Sequence, residues 1–208
     1  MAYASWLTPD PTSGSGTQTV TVSASVYTGR VARSTTMTFS AVNCADVPVT
    51  VNQTGKAEFV TIQQAAAVDK AGAQALTISG SSNSRKLTFS LGSSPTLVLT
   101  LPSTYTADGI TTNNGAVIGE GTGQEDPGAS HQYNFSITFS GITENTSISA
   151  LTAQLIVTAN GGQSTTCTIT QAEGNAYLRV EPVTITLAAD GSETGTTTVH
   201  SNTSWVVA

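Results

Sequence analysis

The side chains that could carry chemistry are few and scattered. Two histidines, His131 and His200, and two cysteines, Cys44 and Cys167, lack the spacing of a metal site and of a nucleophile beside its base. Asp108, Glu120, Glu125 and Asp126 sit among glycines and asparagines, where carboxylate oxygens could hold a calcium ion. Their spacing is not that of an EF-hand, and a solvated acidic loop is the simpler reading. There is no G-x-S-x-G elbow, no H-E-x-x-H pair and no phosphate-cradling glycine loop. A glycosidase would need two carboxylates facing each other across a cleft, whereas the acids here cluster in loops. The expectation is therefore a protein that is not an enzyme and that takes no metal and no cofactor. What remains is aromatic: Tyr3, Trp6 and Trp205 could stack on the apolar face of a sugar, set against the plainer reading that both tryptophans pack in cores.

Composition narrows the partners. Seven Lys and Arg against 13 Asp and Glu leave a formal charge of -6, so there is no cationic footprint for nucleic acid. No run of about 20 apolar residues could span a bilayer as a helix. The opening MAYASWLT has neither the basic start nor the apolar stretch of a secretion signal, so a native Met1 would mean synthesis in a cytoplasm without export by that route. The two cysteines then read as reduced, half-buried thiols in strands. Charged residues make up only 10% of the chain, while Thr, Ser, Val, Ala and Gly dominate, the profile of many short strands joined by small-residue turns.

The elements that must position these side chains have a period of two. Lys86–Leu91, Thr96–Leu101, Tyr133–Phe139 and Ala153–Thr158 alternate polar and apolar residues, as strands with one buried face do. Thr17–Ser25 and Thr35–Ala41 read as the arms of a hairpin turning at Tyr27–Arg30. Ile62–Lys70 is rich in alanine and helical by propensity. Its counterpart Glu181–Ala189 is strand-like, and the repeat outweighs the propensity.

That repeat organises the chain. Gly191 follows Gly72 by 119 residues, as Asn202 follows Asn83, and Gln171 follows Gln53 by 118. The predicted architecture is all-β, with two Ig-like antiparallel β-sandwich units. Residues 58–175 form a complete middle unit with a long insertion at about 102–129, itself a candidate contact surface. Residues 1–57 and 176–208 are the C-terminal and N-terminal parts of a second, split unit. Laid tail to head, Ser201–Ala208 followed by Met1–Gly16 reads as a continuous strand, loop, strand and turn.

Residues Ala189–Ser192, Thr196–Val199 and Ser201–Trp205, continued by Ser5–Thr8, Pro11–Gly16, Thr19–Ser23 and Val49–Gln53, resemble the BACON family. These are Bacteroidetes-associated Ig-like domains found in Bacteroides proteins and in virion proteins of crAss-like phages. The middle unit resembles the family more loosely, with Arg85-Lys86 where a tryptophan is expected. The resemblance implies tandem sandwiches of about 80–100 residues each, with a carbohydrate or mucin-binding role proposed by association, and it carries over no binding residue.

Two functions follow as expectations. The first is a non-enzymatic structural or adhesion protein, a phage virion component such as a head decoration, head fibre or tail protein, made in the host cytoplasm. In it the C-terminal strands of one subunit complete the N-terminal half of the next, with Trp6, Leu7, Val199, Trp205, Val206 and Val207 at the joint. Its partners would be further copies of itself, other virion proteins and a glycan or mucin, with no nucleic acid and no membrane. The alternative is a carbohydrate-binding module from a secreted or cell-surface protein, with Trp6, Tyr3 and Trp205 as its platform. Closure of both ends within one chain is a third arrangement.

Overall fold

A computed structural model describes residues 3–208; Met1 and Ala2 lie outside the described residues. Four strands come first: β1 (Leu7–Asp10), β2 (Thr21–Ala24), β3 (Arg33–Phe39) and β4 (Val47–Gln53). They pair only two by two, β1 with β2 and β3 with β4, both antiparallel. The chain then builds a nine-stranded sandwich from β5 (Val60–Ile62), β6 (Ala65–Val68), β7 (Ala73–Ser82), β8 (Leu87–Leu91), β9 (Thr104–Ala107), β10 (Ile110–Asn113), a single helical turn α1 (Pro127–Ser130), β11 (Tyr133–Ile142), β12 (Leu151–Ala159) and β13 (Ser164–Gln171). One sheet has the order β10-β9-β11-β7-β5 and the other β6-β13-β12-β8. A last two-stranded sheet joins β14 (Leu178–Glu181) to β15 (Thr198–Ser201).

The core lies between the two large sheets and follows the alternation of the sequence. Tyr133, Phe135, Ile137 and Phe139 of β11 face Leu155 and Val157 of β12, all essentially inaccessible to water. Phe89 anchors the middle, with its ring centroid 4.9 Å from that of Tyr105 and edge-on to Phe135 at 5.7 Å. The alanine-rich stretch is a strand, as the repeat requires: β6 runs parallel to β13, and Ala66 and Val68 face inward. Its short side chains suit an edge strand that must lie close over Ile169.

Five expectations need correction. Thr96–Leu101 alternates like a strand but forms none, meeting the sheet only where the Thr96 and Leu97 N–H groups donate to Thr152 O, both at 2.9 Å. Of the strand-like Glu181–Ala189 only Glu181 lies in a strand, because the rest has no neighbouring strand to pair with among the described residues. The arms read as one hairpin belong to different sheets, because Tyr27–Val31 between them is held against the sandwich and does not turn back on itself. The insertion is not a free loop. Tyr105 and Ala107, two residues apart, give it an apolar face that extends the five-stranded sheet through β9 and β10, and Ile118 is buried with them. Cys44 lies exposed in the turn between β3 and β4 and not in a strand, while Cys167 is fully buried in β13, where burial pushes its thiol pKa up.

Sequence equivalence extends to backbone register. The β3–β4 pairing, with Met37 opposite Val49, is the β12–β13 pairing, Leu155 opposite Cys167, shifted by 118 residues. The β14–β15 pairing, Leu178 opposite Ser201, repeats the β5–β7 pairing, Val60 opposite Ser82, shifted by 118 on one strand and 119 on the other.

Phe89→Ala should cost the sandwich about 3–5 kcal/mol, read from its urea midpoint, because the void left between Tyr105 and Phe135 cannot collapse. Burial pushes the Tyr105 phenol up to about 12 and raises that of Tyr133 as well. A folded state that holds these protons more tightly than the unfolded chain is fully stabilised below pH ~10. That stability should drain away as pH rises toward about 12, with phenolate absorbance and loss of near-UV circular dichroism arriving together.

Candidate functional site

Two seams within the chain, and the open sheets beyond them, stand out. The first seam joins the loop before β3 to the end of the sandwich where β7 finishes and β11 begins. Arg30 forms an ion pair with Asp126, lies 4.0 Å from Glu58, and donates from Nη1 to the Asn83 carbonyl at 3.1 Å. Its backbone N–H donates to Gly128 O at 3.0 Å and that of Val31 to Ala129 O at 3.1 Å. The backbones touch so closely that a Cβ on Gly29 would stand 2.5 Å from the Ser130 carbonyl carbon, and one on Gly128 2.3 Å from the Asn83 oxygen.

Asn83 is the hub of this seam. Its fully buried side chain accepts from the Phe59 N–H at 3.0 Å and donates to the carbonyls of Thr28, Lys56 and Ala57 at 3.2–3.3 Å. Ser82 Oγ donates to Phe59 O at 2.6 Å and accepts from the Ser84 N–H at 2.9 Å.

The second seam, at the opposite end of the sandwich, is the same arrangement one repeat later. Asn202 accepts from the Tyr177 N–H at 3.0 Å and donates to the carbonyls of Asn175 at 2.8 Å and Thr146 at 3.1 Å. Ser201 Oγ donates to Tyr177 O and accepts from the Thr203 N–H, at 3.0 and 3.1 Å. Thr146 is the residue 118 after Thr28, and Tyr177 the residue 118 after Phe59. The two seams flank β11, which starts at Tyr133 beside the first and ends at Ile142 beside the second. Ten residues of strand at about 3.4 Å each place them ~30 Å apart.

The open sheets lie beyond the seams. Leu155, Val157, Cys167 and Ile169 are fully buried; their counterparts in β3 and β4 are Met37, Phe39, Val49 and Val51. Met37 is buried, but Phe39 is 39% and Val49 40% exposed. On the C-terminal side the counterpart of Val68, 5% exposed, is Leu187, 55% exposed, and Ile185 and Val183 are uncovered beside it. Among the described residues, no hydrogen bond joins residues 3–55 to residues 176–208.

The residues singled out by sequence fall into separate settings. Trp6 is half-buried, with the Arg33 guanidinium 4.4 Å from its ring and the Tyr27 ring 4.3 Å from the same guanidinium. Arg33 is held there by Gln53, which accepts from its Nε at 2.8 Å and donates to Ser25 O at 2.8 Å. Tyr3 lines a cleft of about 260 Å³ with Pro9, Pro11, Met37 and Phe39. Trp205 is half-exposed beside Ile148 and Asn202. Leu7 is buried, Val199 half-buried, and Val206 and Val207 are almost wholly exposed. His131 pairs with Asp108 at 3.2 Å and Asp126 with Arg30. Among the described residues no three His, Cys, Asp or Glu side chains come together to hold a metal ion.

Comparison with known proteins adds one finding. Residues 1–65 match the family model of BACON, which is described as "Putative binding domain, N-terminal". The N-terminal region is a BACON-like domain. No curated protein matches the chain. The BACON match covers β1 to β4, the first-seam loop and β5, so it spans the N-terminal open sheets and the Gly29–Val31 side of their anchor.

The pairing of Arg30 with Asp126 escaped the sequence reading, which placed the first in a turn and the second in an acidic loop, since nothing in the local pattern couples residues 96 positions apart. Asn83 and Asn202 did carry a signal, their spacing of 119. Asn83→Ala should cost about 1–3 kcal/mol, because it strands buried backbone groups. Asn202→Ala, at a more open seam, should cost less. Urea unfolding of the two variants, with proteolysis at 54–58 and at 173–177, checks the order.

Proposed function

We propose that this chain is a non-enzymatic structural and adhesion protein built of Ig-like units and assembled head to tail. Residues 1–57 and 176–208 are complementary parts of one split unit, and the C-terminal segment of one copy completes the N-terminal sheets of another. The observation that carries this reading is the uncovered apolar face of β3 and β4, which keeps the register of β12 and β13 but lacks the strands that cover them. An apolar face and unpaired strand edges are a template for a further strand. The match to a family described as a binding domain supports a binding role.

Completion by another copy is favoured over closure within one chain because the two seams flank opposite ends of β11, ~30 Å apart. The joint between copies is heterologous, so the product is a ring or an open filament according to whether the rotation closes. A multivalent particle such as a virion is the setting proposed for it, where many weak joints add. Glycan adhesion would then be carried on the array.

The second reading, a carbohydrate-binding module, is favoured by the cleft beside Tyr3, which combines an aromatic ring and two prolines with the polar Gln18 and Ser13. Glycan binding lost in Tyr3→Ala, by a protein of fixed monomeric mass, would select it.

Removal of residues 196–208 should abolish the assembled species in light scattering and leave a monomer whose N-terminal region is protease-sensitive. Assemblies of undiminished mass would refute head-to-tail completion.

A further inference from the structure

Given strand completion between copies, the sandwich supplies its register. Inside one chain β11 has β9 on one edge and β7 on the other, and β13 has β12 on one edge and β6 on the other. The equivalent β2 and β4 each have a single partner among the described residues, β1 and β3. On the C-terminal side β15 pairs only with β14, the counterpart of β5, among the described residues, whereas β7 has β11 on its other edge, and residues 184–187 belong to no strand. The vacant edges of one end therefore match the vacant edges of the other, strand for strand.

We propose that two copies join by repeating the β7–β11 and β6–β13 pairings across the joint. Residues 195–200 of one copy add antiparallel to residues 17–22 of the next, with Thr196 opposite Thr21. Residues 184–187 add parallel to β4, with Ile185 beside Val51 and Leu187 beside Gln53. These positions follow from Thr77 opposite Thr138 and from Ala66 and Val68 beside Ile169 and Gln171, displaced by 119 on the C-terminal strands, by 118 on β4, and by 117 on β2, where Val20 and Val22 face inward as Ile137 and Phe139 do.

The side chains fit this register. Ile185 and Leu187 fall where Ala66 and Val68 pack, over Val49 and Val51, and their greater bulk occupies the space that the smaller Val51 leaves in place of Ile169. Gln171 donates to Thr143 O at 2.8 Å and lies within 3.5 Å of the Asp69 and Lys70 carbonyls in the turn after β6. Gln53 already makes the first of these bonds, to Ser25 O. In the joint, the carbonyls of Ala188 and Ala189 from the other copy take the places of Asp69 and Lys70. The turn that presents them is the same, since Gly191 N–H donates to Ala188 O as Gly72 N–H does to Asp69 O, both glycines at positive φ. The C-terminal segment is thus already folded as an N-terminal half, anchored through Asn202, before it meets its partner.

The test is cysteine cross-linking of the full chain in a Cys44→Ala background. Thr77 and Thr138 bring their hydroxyls within 2.9 Å, so Thr21→Cys with Thr196→Cys should oxidise to a ladder of multimers on a non-reducing gel. Thr21→Cys with Thr197→Cys, whose second thiol points to the other face, should give at least tenfold less. Asn52→Cys with Thr186→Cys probes the β4 joint independently should the first pair fold poorly. Multimers in solution without a ladder from either matched pair, or with an equal ladder from the mismatched pair, would overturn the register and leave head-to-tail assembly standing. A cross-linked species of single-chain mass would overturn completion between copies. Monomers without cross-links would overturn both.

Discussion

A sheet face that is apolar and a strand edge with unpaired N–H and C=O groups both have to be covered, and every feature of this molecule can be placed by how it meets that demand. In the sandwich the demand is met internally: nine strands in two sheets close over Phe89, Phe135 and Leu155, and the side chain of Asn114 bonds both backbone groups of Phe89, at 2.7 and 2.9 Å. On either side of it the demand is met only in part. The first four strands bury Leu7 and Met37 and leave Phe39, Val47 and Val49 in contact with water, and the last segment leaves Val183, Ile185 and Leu187 there.

The seams explain why these parts hold a defined pose without a core of their own. A buried asparagine whose amide is fully used fixes the chain more sharply than an apolar contact would, since each unmet bond in the wrong geometry costs a desolvated polar group. Asn83 joins two segments that are remote from it in sequence, one at Thr28 and one running from Lys56 to Phe59, and Asn202 repeats the device with Thr146, Asn175 and Tyr177. Gly29 and Gly128 allow the backbones to approach, and the Arg30–Asp126 pair closes the first seam from outside. A repeated seam on both sides of one sandwich is a polymerisable geometry.

Much of the fold was legible because period-two alternation and an internal repeat are both written locally. Tyr133–Phe139 and Ala153–Thr158 are strands as their pattern demands, and comparison with Glu181–Ala189 overrode the helical propensity of Ala65–Ala67. Sheet membership was harder to read. Thr17–Ser25 and Thr35–Ala41 have the pattern of hairpin arms, and only the anchoring of Tyr27–Val31 on the sandwich sends them to different sheets. The insertion misled for a related reason: its glycines and asparagines read as loop, while the two inward residues of β9, Tyr105 and Ala107, carry it into the sheet. The aromatic residues were visible as such, but Arg33 stacked between Trp6 and Tyr27 depends on spatial neighbours that no short motif encodes.

The central claim is that the edge of β4 is covered by a second copy. In the sandwich the N–H groups of Thr168 and Ala172 donate to Gln64 and Val68 at 2.8 and 2.9 Å. The equivalent groups are those of Thr50 and Thr54. Residue-resolved amide hydrogen exchange over a protein concentration series would report on them directly. Protection of Thr50 and Thr54 that rises with concentration, while that of Thr168 and Ala172 stays constant, is the result predicted. Free exchange of Thr50 and Thr54 at every concentration would contradict it.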